Sequence, residues 1–300
     1  MKGEATVETR EPEVCGGTTS SIDENAPKTI TSGEMTYFCV ESVIGIPPDR
    51  YAEEETLYFV SAFAAPTGRG NFLLLETRNS YERSAGCVST ALVKEDVFPA
   101  LTSLVRESGL AKINGVHITT HGLPDNFGGS IDIRYASGER ISISNNQSPI
   151  ISYEAGQKIA ELFKKLISGE KVSLPDVSAL CSIRFEERRN GGAFTKAVLT
   201  LNEDGTAINE KSQCFEPPKV YESKKGVSKE TVKLIMDTVQ RDSLFAWQGL
   251  PDNGFHIEND KMLTFVFKNG TELEVQNRRL LPDQIRNGFF DIELEMTVKN

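Results

Sequence analysis

Two runs dominated by aromatic and branched apolar residues, 57–64 and 71–77, flank the segment Pro66-Thr67-Gly68-Arg69-Gly70. Runs of that length bounded by Gly and Pro predict two strands joined by a turn. The layout returns at 179–187 and 194–201, where Asn190-Gly191 in the connection supplies a strong hairpin signal. After each hairpin the apolar spacing lengthens from strand to helix. Val97, Leu101, Leu104 and Val105 share one helical face, as do Val232, Ile235, Met236 and Val239. Ser228 stands at a capping position before the second of these helices, with Glu230 in its first turn.

Further along, Ile131, Ile133 and Tyr135 alternate with polar residues, and Ile141 and Ile143 do the same beyond Ser137-Gly138-Glu139. Leu263, Phe265, Phe267, Leu273 and Val275 repeat this around Asn269-Gly270-Thr271. Strict alternation predicts hairpins with one buried face and one wet face. Residues 35–43 read as a first strand and 153–168 as a helix with Ile159, Leu162, Phe163 and Leu166 on one side. Residues 290–298 alternate as Phe290, Ile292, Leu294, Met296 and Val298, which predicts a last strand able to pair with 35–43.

The pentapeptide Gly-Leu-Pro-Asp-Asn stands after each helix, at 122–126 and 249–253. Together with the order hairpin, helix, turn, hairpin, it predicts two diverged copies of one unit. The expected fold class is therefore α+β: two hairpin-helix-hairpin (ββαββ) repeats, an antiparallel sheet with helices packed on one face. Residues 1–33, charged and rich in Gly, Ser, Thr and Pro without periodicity, read as a disordered tail. The first unit is expected over 34–170, with an added helix at its end, and the second over 171–300.

Length and composition agree with two ordinary domains: 300 residues, 38% hydrophobic. The 43 acids against 33 bases give a net charge of -10, which repels phosphate backbones, so no nucleic-acid partner is expected. No apolar run approaches the roughly 20 residues of a membrane-spanning helix. Residues 1–14 lack the apolar stretch of a secretory signal, which favours the cytoplasm, or the cell surface or export if a leader once preceded this sequence. Five widely spaced cysteines form no Cys-x-x-Cys pair; Cys39, Cys87 and Cys181 are expected as small buried hydrophobes.

Candidate chemistry is sparse. His117 and His121 are four apart with Asp125 following, but the β-branched run 116–120 predicts a strand. An extended chain would hold the two rings about 13 Å apart, too far for one zinc ion. Neither metal nor cofactor is expected. There is no Gly-x-Ser-x-Gly elbow and no phosphate-binding Gly-x-x-x-x-Gly-Lys-Ser/Thr loop. The acidic runs 53–55 and 186–187 read as solvated surface, and the pentapeptide as a type I turn with Pro at its second position. The favoured function is a non-catalytic binding or interaction protein meeting a protein, peptide or glycan partner. Its contact residues would be Trp247, Leu123, Asp125, Leu250 and Asp252, on two turns rimming a groove. The alternative is a hydrolase using His121 and Asp125 of the first unit.

Overall fold

The computed structural model describes residues 17–44, 57–79, 86–122, 127–248, 259–276 and 283–298. It is a mixed α+β protein with two sheets and, among the described residues, four α-helices. The larger sheet contains β1 (Gly17–Ile22), β2 (Met35–Val43), β3 (Phe59–Thr67), β4 (Gly70–Arg78), β5 (Cys87–Val93), β6 (Val116–His121), β7 (Gly129–Tyr135) and β8 (Arg140–Asn145). Its order is β1-β6-β8-β7-β2-β3-β4-β5, antiparallel except between β6 and β8. The smaller contains β9 (Leu180–Arg189), β10 (Phe194–Leu201), β11 (Ala207–Glu216), β12 (Lys219–Val227), β13 (Asn259–Phe267) and β14 (Glu272–Gln276). Its order is β12-β11-β10-β9-β13-β14, antiparallel throughout.

The two orders run alike. Counted from β8, six strands of the larger sheet follow as β8-β7-β2-β3-β4-β5, and the smaller follows as β14-β13-β9-β10-β11-β12. Registers run alike too. Val40 lies between Ile131 and Ala62, with Ile143 beyond Ile131. Phe185 lies between Leu263 and Ala197, with Val275 beyond Leu263. All eight are buried. By this order β2 occupies the place of β9, so the strands 59–67 and 70–78 stand where β10 and β11 stand, one strand along from the match expected on sequence.

Four helices cover one face of each sheet: α1 (Phe98–Ser108), α2 (Tyr153–Ile167), α3 (Lys229–Arg241) and α4 (Asp283–Thr297). Local chemistry sets their limits. Ser152 and Ser228 cap α2 and α3 by accepting hydrogen bonds from the amides of Ala155 and Thr231. Gly109, at φ 64°, ends α1 in the left-handed conformation that glycine adopts without steric cost. Under α1 and α2 lies a core of Phe38, Val40, Leu73, Leu101, Ile133, Ile159 and Phe163. Under α3 and α4 lies a second, built on Phe185, Phe265, Ile235, Phe289 and Ile292. Tyr37, Phe63, Phe72, Leu74 and Leu92, on the helix-free face of the larger sheet, join that second cluster. Both faces of β3 and β4 are thus covered, which is why they read as continuous apolar runs, whereas β7 and β8 alternate.

Several expectations are corrected. Residues 283–297 form α4 rather than ending in a strand. Phe289, Ile292 and Met296 make its buried stripe at helical spacing, and the alternating Phe290 and Val298 are left exposed. Strand β2 pairs with β3 and β7 instead. The expected disordered tail is structured from Gly17: β1 pairs with β6, and Asp23 to Ile30 is tied down through Asn114. The Asn114 side-chain amide donates to the carbonyls of Pro27 and Arg140 and accepts from the Ser142 amide, while its own carbonyl accepts from Lys28. Glu187 is not solvated surface. It is 3% exposed and paired with Arg189 at 2.5 Å and Lys261 at 3.7 Å. Cys87 is exposed and Cys39 and Cys181 are half-buried, so of the described cysteines only Cys214 is buried. The acidic run 53–55 and both pentapeptides, apart from Gly122, lie outside the described residues.

Candidate functional site

The end of the larger sheet where β2, β4 and β8 finish and β3 and β7 begin opens into a cleft of about 520 Å³. Two consecutive glycines build its floor. A Cβ on Gly128 would lie 1.7 Å from the carbonyl oxygen of Asn145, and one on Gly129 would lie 2.2 Å from that of Glu41. Only chains without side chains can enter between β2 and β8 this closely. The Gly128 carbonyl accepts from the Val43 amide at 2.9 Å, which seats the start of β7 against the end of β2.

The walls are mixed. Thr119, Ser130 and Ser144 bring hydroxyls, Asn145 and Asn146 amides, and Tyr58, Phe59 and Phe127 aromatic side chains, of which Tyr58 and Phe59 are buried. Phe127 is 43% exposed. Asn146 accepts from the Thr120 amide and donates to the Thr120 carbonyl, at 2.8 and 2.9 Å, locking the end of β8 onto β6. The Asn145 side-chain oxygen accepts from the amides of Gln147 and Ser148, a turn that fixes its orientation. Two charges line the cleft, Glu41 and Arg78. The Arg78 guanidinium sits in an ion pair: its Nε lies 2.9 Å from Glu76 Oε1, without hydrogen-bond geometry, and its carbon lies 3.7 Å from the centroid of the Phe59 ring. Ser144 Oγ is 3.0 Å from His117 Nδ1, a contact across the short parallel pairing of β6 and β8.

Next to this wall, on the helix-free face of the larger sheet, Asp132 accepts from Arg134 at 2.6 Å and from Arg140 at 2.7 Å. Arg134 stacks over Tyr37 at 4.6 Å from the ring centroid. Burial pushes the Tyr37 phenol and the Cys39 thiol above their ordinary ranges, and both stay protonated at neutral pH. This set rigidifies the sheet face and offers no activated thiolate.

The residues singled out on sequence fall elsewhere. His117 and His121 both lie on β6, an extended strand. His121 is exposed, with its Nε2 3.3 Å from Thr19 Oγ1 of β1, and it is not among the residues lining the cleft. Asp125, Leu123, Leu250 and Asp252 lie outside the described residues. Trp247 is 2% exposed within the second core and offers no contact surface, which removes the expected tryptophan-anchored groove. Among the described residues no group of three or more His, Cys, Asp and Glu is placed to hold a metal ion. No helix of the described residues is long and apolar enough to cross a membrane. The residues that line the cleft carried one sequence signal, the pair Gly128-Gly129 directly before an alternating strand, which marks close backbone approach.

No protein-family model matches the chain, and no curated protein or solved structure matches it.

Proposed function

We propose that this is a non-catalytic binding protein built from two diverged copies of one α+β unit, and that the cleft of the first copy takes a neutral saccharide. The duplication rests on the common strand order and the common core register. By that order the unit is four strands, a helix, two strands and a closing helix, spanning 34–170 and 171–300.

One observation carries the ligand class: the cleft combines the exposed Phe127 ring with hydroxyl and amide groups, and its guanidinium lies in an ion pair with Glu76. Hydroxyls and amides both donate and accept, which suits sugar hydroxyls, and aromatic faces suit the apolar faces of a pyranose ring. A matched arginine leaves no surplus positive charge for a phosphate or carboxylate. The hydrolase alternative with His121 and Asp125 has less support, because His121 stands on open surface against Thr19 rather than in the cleft.

Saturation-transfer NMR with a panel of neutral oligosaccharides tests the reading. Transfer from the protein to at least one of them, lost in Ser130→Trp, supports it. Transfer to none, with binding of acidic sugars or peptides in their place, contradicts it.

A further inference from the structure

Strand β12 is an edge of the smaller sheet and, at nine residues, the longest edge strand of either sheet among the described residues. Every residue from Lys219 to Gly226 is exposed except the half-buried Ser223, with Val220 at 47% and Tyr221 at 49%, and among the described residues β12 has a strand partner on one side only. An edge strand turns alternate amides and carbonyls outward, a template for another strand.

We infer that β12 pairs with β12 of a second copy of this chain, antiparallel about a two-fold axis at Ser223. Charge selects that partner and that register. An axis normal to the sheet keeps the helix-covered faces of both copies on one side, and it must pass at a residue. Placed at Glu222 it opposes two carboxylates, and placed at Lys224 or Lys225 two ammonium groups. Placed at Ser223, the midpoint of the strand, it opposes all nine residues and sets Glu222 of each copy against Lys224 of the other. Tyr221 then faces Lys225. Within one copy Lys224 already pairs with Glu210 at 2.5 Å. The completed row across the join alternates acid, base, acid on the open face of the sheet. The residue on the axis, Ser223, is small and neutral. The two six-stranded sheets become one continuous sheet.

Pairing along a single edge buries less than the roughly 1,600 Å² of a standard interface, so the dimer is weak and its test needs high concentration. Sedimentation of the whole chain up to about 500 µM is the measurement, with circular dichroism confirming that each variant is folded. The native chain dimerises. Glu222→Lys sets lysine against lysine at two places, and Lys224→Glu sets glutamate against glutamate at two places; each variant alone dimerises about tenfold more weakly. An equimolar mixture of the two variants restores complementary pairs at both places and dimerises like the native chain. A native chain that stays monomeric overturns the inference. So does a dimer indifferent to Glu222→Lys, or a mixture that fails to recover.

Discussion

Glu139 shows how one side chain ties down the segment leading into β2. Its carboxylate accepts from the amides of Thr31 and Ser32 at 2.9 and 2.8 Å, and these bonds hold its pKa down at about 2. A depressed carboxylate anchors fully above the ordinary range and lets go as pH falls through its folded value. The amide resonances of Thr31 and Ser32 should therefore titrate together with a midpoint near 2, and Glu139→Gln should abolish the transition. A midpoint near the ordinary carboxylate value of 4.5 would detach Glu139 from this role. Trp247 gives a second residue-scale check, because it is the only tryptophan. Buried against the second core, it should emit at short wavelength and resist acrylamide quenching, and Trp247→Ala should cost about 3–5 kcal/mol. Emission typical of water-exposed indole would return it to the surface. Sequence could not place it, since an indole serves equally as a core filler and as a rim anchor, and its burial depends on Phe265, Leu244 and other residues distant or irregular in the chain.

Among the elements, those with a single unambiguous period were legible. Helices α1, α2 and α3 follow the spacing of their apolar residues, and the alternating hairpins β7–β8 and β13–β14 form in the expected register. Helix α4 was not. Its sequence satisfies two periods at once, alternation through Phe290, Ile292, Leu294 and Met296 and a helical stripe through Phe289, Ile292 and Met296, and packing under the smaller sheet decided between them. Strand β1 was missed for the opposite reason: Thr18, Thr19, Ser20 and Ser21 have no apolar period, and its pairing with β6 rests on backbone bonds and on polar contacts of Thr18 with Thr120 and Thr19 with His121. The entry of β7 between its neighbours is the element on which the cleft depends. Gly129→Ala should force β7 away from the Glu41 carbonyl, lower stability by about 1–3 kcal/mol and reduce ligand binding, read by urea denaturation and titration. An alanine accommodated without either loss would show that the close approach is not required.

At the scale of the whole molecule, the second core draws Tyr37, Phe63, Phe72, Leu74 and Leu92 from the larger sheet into the cluster beneath α3 and α4. Shared packing of this kind couples the two halves. Thermal unfolding followed by Trp247 fluorescence, which reports the smaller sheet, should coincide with unfolding followed by far-ultraviolet circular dichroism. Separate transitions would mean that the halves melt independently. Sequence conveyed the α+β class, but not two sheets or their strand orders, because the pairing of β2 with β7 and of β9 with β13 is non-local and leaves no mark in adjacent residues. The cleft was hidden likewise: its lining comes from six strands and the segments that adjoin them.

The central claim is that the cleft binds a neutral saccharide, and backbone chemical-shift mapping during titration with the oligosaccharide that shows saturation transfer tests it most directly. The account predicts saturable shifts gathered at Arg78, Thr119, 127–130 and 144–146, with β12 unmoved. Shifts gathered on any other surface, or none at millimolar sugar, would contradict it.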